Sequence, residues 1–177
     1  MEWRGVKDLI HGLMSTGERN GRARWLFGEI LARHNLHADW DRKDWAAVVA
    51  ELPVQRGLAF PITLAFRSEN ELLLSAMGLE KLYTPWPEER SEAAFLRAVN
   101  GLIGGRARLV RHLGRGGRPW RLLLEEARED GTWRRLAWQH RLGDFPWAAP
   151  WRWRAARDIQ RNVAPAPLRL IWNATLH

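Results

Sequence analysis

The chain has 177 residues, 46% of them hydrophobic, no cysteine and a formal net charge of +8. It is long enough for one well-packed core and short for two, and the absence of cysteine excludes disulfides, thiolate-bound zinc and thiol catalysis. The charge is segregated: residues 1–60 carry a net +1 and residues 61–104 a net −2, whereas residues 105–177 hold fifteen basic and six acidic side chains, a net +9.

In chain order, Trp3, Val6, Ile10 and Leu13 recur at helical spacing, and Ser15-Thr16-Gly17 ends that run. Asn20 is placed as the cap of a second helix with Ala23, Leu26, Phe27, Ile30 and Leu31 on its apolar face. Asp39 or Asp41 opens a third, with Trp45, Val48, Val49 and Leu52 on one side and Pro53 closing it. The period then changes to two. Leu58, Phe60, Ile62, Leu64 and Phe66 alternate with smaller or polar residues, the pattern of a strand with one buried face. Pro61 lacks an N–H donor, which puts this strand at a sheet edge or its start near that residue. Glu71–Met77 forms a second strand that Gly78 breaks. A helix follows, with Phe95, Leu96, Val99, Leu102 and Ile103 facing inward and Gly104-Gly105 ending it.

Residues 106–141 read as a basic meander of three strands, in which Gly114–Pro119 forms one turn and Asp130-Gly131 the other. Ala107, Leu109 and Leu113 supply its apolar face; Arg106, Arg108 and His112 supply a cationic one, and Arg111 breaks the pattern. From Pro150, a helical projection sets Trp151, Ala155, Ile159 and Val163 against Arg154, Arg157 and Arg161, with Arg152 snorkelling outward. After the spacer at residues 164–167, Leu168, Leu170, Trp172, Ala174 and Leu176 alternate as a possible last strand. That strand completes its own sheet or a neighbour's, so the chain is a monomer or a strand-exchanged dimer.

The expected fold is therefore α+β: an N-terminal helical cap on a mostly antiparallel sheet of five to six strands, with an Arg-rich amphipathic C-terminal helix. It is read as a single domain over residues 1–177, with a helical part at 1–53, a sheet with one helix at 58–141, and the basic helix and last strand at 150–177. The order of elements resembles that of bacterial secretion-chaperone domains, a likeness of fold that carries no function.

Arginine outnumbers lysine 25 to 3, and there are twelve tryptophans. Most of the tryptophans are expected in the core. Arginine forks fit phosphates and carboxylates bidentately and stack on rings, so Arg beside Trp suits nucleic acid or an acidic protein face. A GC-rich genome also favours Arg over Lys, but it does not segregate charge. The N-terminal fourteen residues carry charges at Glu2, Arg4, Lys7 and Asp8 and no apolar stretch of signal-peptide length. No run approaches the length of a membrane span, and a cytoplasmic protein is expected.

Enzymatic signatures are weak. The glycines at 114–117 lead into a strand, not into the helix N-terminus and Lys-Ser/Thr of a phosphate loop. His34 and His37, with Asp39 near, are read as surface or capping residues, and no metal or other cofactor is expected. Glu125 and Glu126 point to opposite faces of a strand, so they act as partners for Arg134 and Arg135, not as a nuclease pair. No Gly-x-Ser-x-Gly elbow is present. The expected function is a non-enzymatic binding module that contacts nucleic acid mainly through phosphates, or an adaptor, chaperone-like protein or inhibitor that uses the same surface against an acidic partner. The expected interface residues are Arg106, Arg108, Arg115, Arg118, Arg121, Arg135, Arg141, Trp133, Trp151, Trp153, Arg154, Arg157 and Arg161.

Overall fold

The computed structural model describes residues 15–67, 70–84, 89–114, 117–140 and 156–162. The expected first helix and the stripe at 168–176 lie outside them. The architecture is α+β, in the order α1 (Thr16–His34), β1 (Asp39–Lys43), β2 (Ala46–Leu52), β3 (Ile62–Arg67), β4 (Glu71–Ala76), β5 (Leu79–Tyr83), α2 (Glu89–Ile103), β6 (Ala107–Leu113), β7 (Pro119–Ala127), β8 (Trp133–His140) and β9 (Ala156–Gln160).

Helix α1 is capped by Ser15, five residues before Asn20. The Ser15 hydroxyl accepts from the Glu18 N–H at 3.3 Å, and the Glu18 carboxylate accepts from the Ser15 N–H at 2.7 Å. The Ser-x-x-Glu spacing is a reciprocal capping box, so the residues expected to stop a helix begin one. The expected apolar face is correct, with Ala23, Leu26, Phe27, Ile30 and Leu31 all buried.

The expected third helix is instead the antiparallel hairpin β1–β2, turning at Asp44-Trp45. Val48, Ala50 and Leu52 enter the main core, whereas Val49 joins Ala46, Ala65 and Leu73 in a small cluster on the other face. A strand buried on both sides shows no alternation, and β-branched residues favour it over a helix. The expected helical part at 1–53 thus holds one helix and a two-stranded hairpin in its described portion.

Strand β3 begins immediately after Pro61, yet it is the central strand of its sheet, flanked by β2 and β4. Pro61 therefore marks a start and not an edge. Strand β5 was not foreseen. Met77 and Gly78 both take positive φ, 53° and 86°, and form a two-residue turn that folds Leu79–Tyr83 back onto β4. Turns of this hand match strand twist.

The meander β6–β7–β8 follows expectation, and the Asp130-Gly131 turn has Gly131 at φ 78°. The expected C-terminal amphipathic helix is not there: Ala156–Gln160 is a strand, antiparallel to β6. It satisfies the free edge of β6 and brings Asp158 to Arg111, which form an ion pair. Arg157 and Arg161 share a face in a strand as they would on a helix, so their spacing could not decide between the two.

Two sheets result where one was expected, in the orders β1-β2-β3-β4-β5 and β8-β7-β6-β9. They abut where the Glu80 N–H donates to Gln139 Oε1 at 2.9 Å. Helix α1 lies on β2 and β3, and α2 bridges from β4 and β5 to β6 and β7. One apolar core draws on both helices and both sheets. Phe95 sits at its centre, 6.0 Å from the Phe27 ring and 5.5 Å, edge-on, from Tyr83.

Tryptophan is missing from that core: none of the six described tryptophans is buried, and Trp25, Trp40, Trp45 and Trp138 are each more than a third exposed. Leu, Val, Ala and Phe fill the interior, while Trp carries guanidinium partners at the surface, as where Arg24 lies 4.9 Å over Trp40. No helix among the described residues is long and apolar enough to cross a membrane.

Asn162, 1% exposed, ties the end of β9 to the rest. Its Oδ1 accepts from the Ala59 N–H at 2.7 Å, and its Nδ2 donates to the Leu102 carbonyl at 3.1 Å. Leaving the buried Leu102 carbonyl and the part-buried Ala59 N–H unpaired costs about 1–3 kcal/mol. Asn162→Ala should therefore lower the melting temperature by about 2–12 °C in a domain of this size, as read by calorimetry. An unchanged melting temperature would show that water takes over both bonds.

Candidate functional site

The helices cover one face of the sheets, and the cross-strand register defines the rows on the other. On the outer face of β8-β7-β6-β9, Ile159, Val110, Leu123 and Trp138 are successive cross-strand partners. Two residues further along the strands, Arg157, His112, Arg121 and His140 form the next row. Cross-strand partners on one face are close enough to interact. The first row is apolar and ends in Trp138, 56% exposed; the second consists of two arginines and two histidines and contains no carboxylate.

The ring positions connect the rows. Trp120 lies 5.9 Å from His112 and 5.8 Å from His140, and His140 meets Trp138 edge-on at 4.9 Å. An irregularity in the β6–β7 pairing next to His112 accompanies this placement of Trp120. Burial, reinforced by the Arg121 and Arg157 charges and opposed by Glu125, holds the His112 imidazole below its ordinary value of 6.5. The row therefore crowds positive charge, with no carboxylate in the row itself. Arg121 Nε is buried without a hydrogen-bond partner, and neither Arg121 nor Arg157 has an ion pair among the described residues.

The other expected interface residues divide sharply. Arg108 pairs with Glu125 at 3.0 Å, and its guanidinium lies 3.8 Å over the Trp133 ring. Arg161 approaches the same ring at 5.8 Å and donates to the Gly105 carbonyl. Trp133 is half-buried, and both cations lie over its ring. Arg106, Arg118 and Arg135 are exposed. Arg115, Arg141, Trp151, Trp153 and Arg154 lie outside the described residues. The acidic pair does split across the strand: Glu126 takes Arg134 at 2.6 Å and Arg97 at 3.0 Å on the helix side. Glu125 lies opposite Arg135 in register but is bonded to Arg108, which corrects half of the expected pairing.

Trp138, Trp120 and His140 were not singled out from the sequence, and Trp45 was read only as part of a helix face. Trp138-x-His140 repeats the outward parity of Arg121-x-Leu123 on the next strand, a signal visible only once the hairpin register is known. At the seam of the two sheets, Trp45, Leu73, Leu82 and Trp138 line a cleft of about 570 Å³ together with Arg67, Glu80, Lys81 and Gln139, so the exposed Trp138 borders a concave space of mixed polarity.

His34 Nε2 lies 2.8 Å from Asn100 Oδ1, and the His37 backbone is bonded at both N–H and carbonyl to the Gln55 side chain. Among the described residues no group of three or more potential ligands is gathered around a metal position. Gly114 and Arg118 close the β6–β7 turn through a 2.8 Å backbone bond.

The depressed His112 value has a stability consequence. A group held below its unfolded value contributes stability above about pH 6.5 that is lost as pH falls towards the folded value, because the unfolded chain then binds the extra proton. The melting temperature should fall between pH 7.5 and 5.5 more steeply in the native protein than in His112→Gln. Parallel curves would show that neither burial nor the Arg121 and Arg157 charges lower the imidazole.

No family model, curated protein or solved structure matches this chain.

Proposed function

We propose that the protein is a non-enzymatic module that binds single-stranded nucleic acid on the outer face of β8-β7-β6-β9, mainly through phosphates. One observation carries the reading: the Arg157–His112–Arg121–His140 row, without a carboxylate, runs beside the exposed Trp138. Phosphates need distributed cations, and unpaired bases need exposed rings to stack on. Double-stranded DNA offers no free base faces, whereas single strands do, and the seam cleft next to Trp138 joins apolar side chains to the polar Arg67, Lys81 and Gln139, a combination that suits the face and edge of a base. The ion-paired Arg108 and Arg111 are structural in this reading. The single apolar core shared by both sheets supports treating the described residues as one domain.

The competing partner for the same cations is an acidic protein. Fluorescence titration with a mixed-sequence 12-nucleotide strand, alongside polyglutamate, separates the two. If about three phosphates are engaged, raising salt from 50 to 200 mM should weaken binding about 20-fold, from a slope of about −0.7 per phosphate. Tryptophan emission should be quenched by the oligonucleotide and not by polyglutamate. Tight polyglutamate binding with no affinity for the oligonucleotide would make the face a protein-docking surface instead.

A further inference from the structure

Where α2 passes the start of β8, a second cleft of about 460 Å³ opens, separate from the outer rows. Four of its lining residues are arginines, Arg90 and Arg97 from α2 and Arg134 and Arg135 from β8. Arg90, Ala93, Ala94 and Arg97 follow the i, i+3, i+4, i+7 spacing, so one stripe of α2 forms the wall, with the two alanines keeping it low. Tyr83 and Leu136 complete an apolar floor.

The charges in this cleft are not balanced. Glu126 is the only carboxylate bonded to any of the four arginines among the described residues, and it is divided between Arg97 and Arg134. Burial opposes ionisation of Glu126, but the hydrogen bonds from both arginines outweigh it and hold the carboxyl below its usual range. It stays ionised at neutral pH, so among the described residues one carboxylate faces four guanidinium groups. Arg134 Nε is buried with no hydrogen-bond partner. Arg90 and Arg135 make no ion pair among the described residues. Arg90 also sits in the first turn of α2, where the helix dipole disfavours a cation and favours an anion. Burial pushes the Tyr83 phenol up to about 12, so that side chain contributes no negative charge.

We infer that this four-arginine cleft is a binding site for a terminal phosphate or pyrophosphate group borne by a ligand of about nucleotide size. Guanidinium forks match phosphate oxygens bidentately. The cleft volume falls in the range of small-ligand sites, and its floor of Tyr83, Leu136 and the two alanines suits an apolar or ring-bearing remainder. The phosphate belongs either to a free compound or to the end of a nucleic-acid strand, and the two share this chemistry.

The test is calorimetric titration of the full chain with sodium pyrophosphate at fixed ionic strength, with sulfate as control. Three proteins are compared: the native chain, Arg90→Ala/Arg135→Ala and Arg121→Glu/Arg157→Glu. Arg90 and Arg135 are chosen because removing them orphans no described carboxylate, so the melting temperature should hold. Saturable one-to-one binding is expected in the native chain and in the Arg121/Arg157 variant, weakened at least tenfold in the Arg90/Arg135 variant. Equal affinity in the Arg90/Arg135 variant, loss in the Arg121/Arg157 variant, or binding no tighter than sulfate would each overturn the site. Failure of the outer-face reading shows instead as oligonucleotide binding that ignores Arg121 and Arg157. If a 5′-phosphorylated 12-mer binds more tightly than its unphosphorylated form only when Arg90 and Arg135 are present, the cleft takes a strand end. Pyrophosphate binding without that difference assigns it to a free compound, and either result upholds the site.

Discussion

Arg121→Glu/Arg157→Glu is expected to lose on the order of 10²-fold or more in affinity for a 12-nucleotide single strand at 0.1 M salt. Counterion release gives each phosphate contact about 0.7 log units at that salt concentration, and reversing a charge both removes a contact and adds a repulsion of similar size. What makes these two positions diagnostic is what they do not touch. Neither has an ion pair among the described residues, and both depress the neighbouring His112. Replacing them therefore breaks no described ion pair and relieves like-charge crowding, so the melting temperature should hold or rise. Arg108→Glu or Arg111→Glu would be poor substitutes, because Glu125 and Asp158 would then face a like charge. Affinity within about threefold of native in the double variant, with the fold intact, would remove this row from any interface.

The contrast between Arg121 and Arg108 shows what the sequence held and what it withheld. Both lie at outward positions of alternating strands, and both were legible as cationic. Only the register reveals that Arg108 stands opposite Glu125 while Arg121 stands opposite His112. A charge pattern specifies a face, and the partner across the ladder decides whether that face is neutralised. The same limit governed the fold. The meander was legible because one buried face gives a period of two and Asp-Gly gives the turn. The β1–β2 hairpin was not, because Val48 and Val49 are buried on opposite faces and leave an unbroken apolar run. Strand β9 was hidden for another reason. Its fate depends on the open edge of β6 and on Arg111, an outlier in its own strand that Asp158 explains.

Trp138→Ala carries the second large effect, because it tests the kind of partner and not merely its charge. Stacking of one base on an aromatic ring is worth about 1–3 kcal/mol by alanine substitution, so affinity for a single strand should fall about 5- to 150-fold. The loss should be nearly independent of salt, since no phosphate contact is removed, and the slope against salt should stay at its native value. Truncation is safe for the fold, because the indole is 56% exposed and its contact with His140 is edge-on at the surface. Trp138→Phe retains an aromatic face and should recover most of the affinity, which a purely electrostatic surface would not require. An acidic protein docked on the arginines alone would be indifferent to the ring. Native oligonucleotide affinity in Trp138→Ala, together with loss in Arg121→Glu/Arg157→Glu, would leave a surface that reads charge without reading bases.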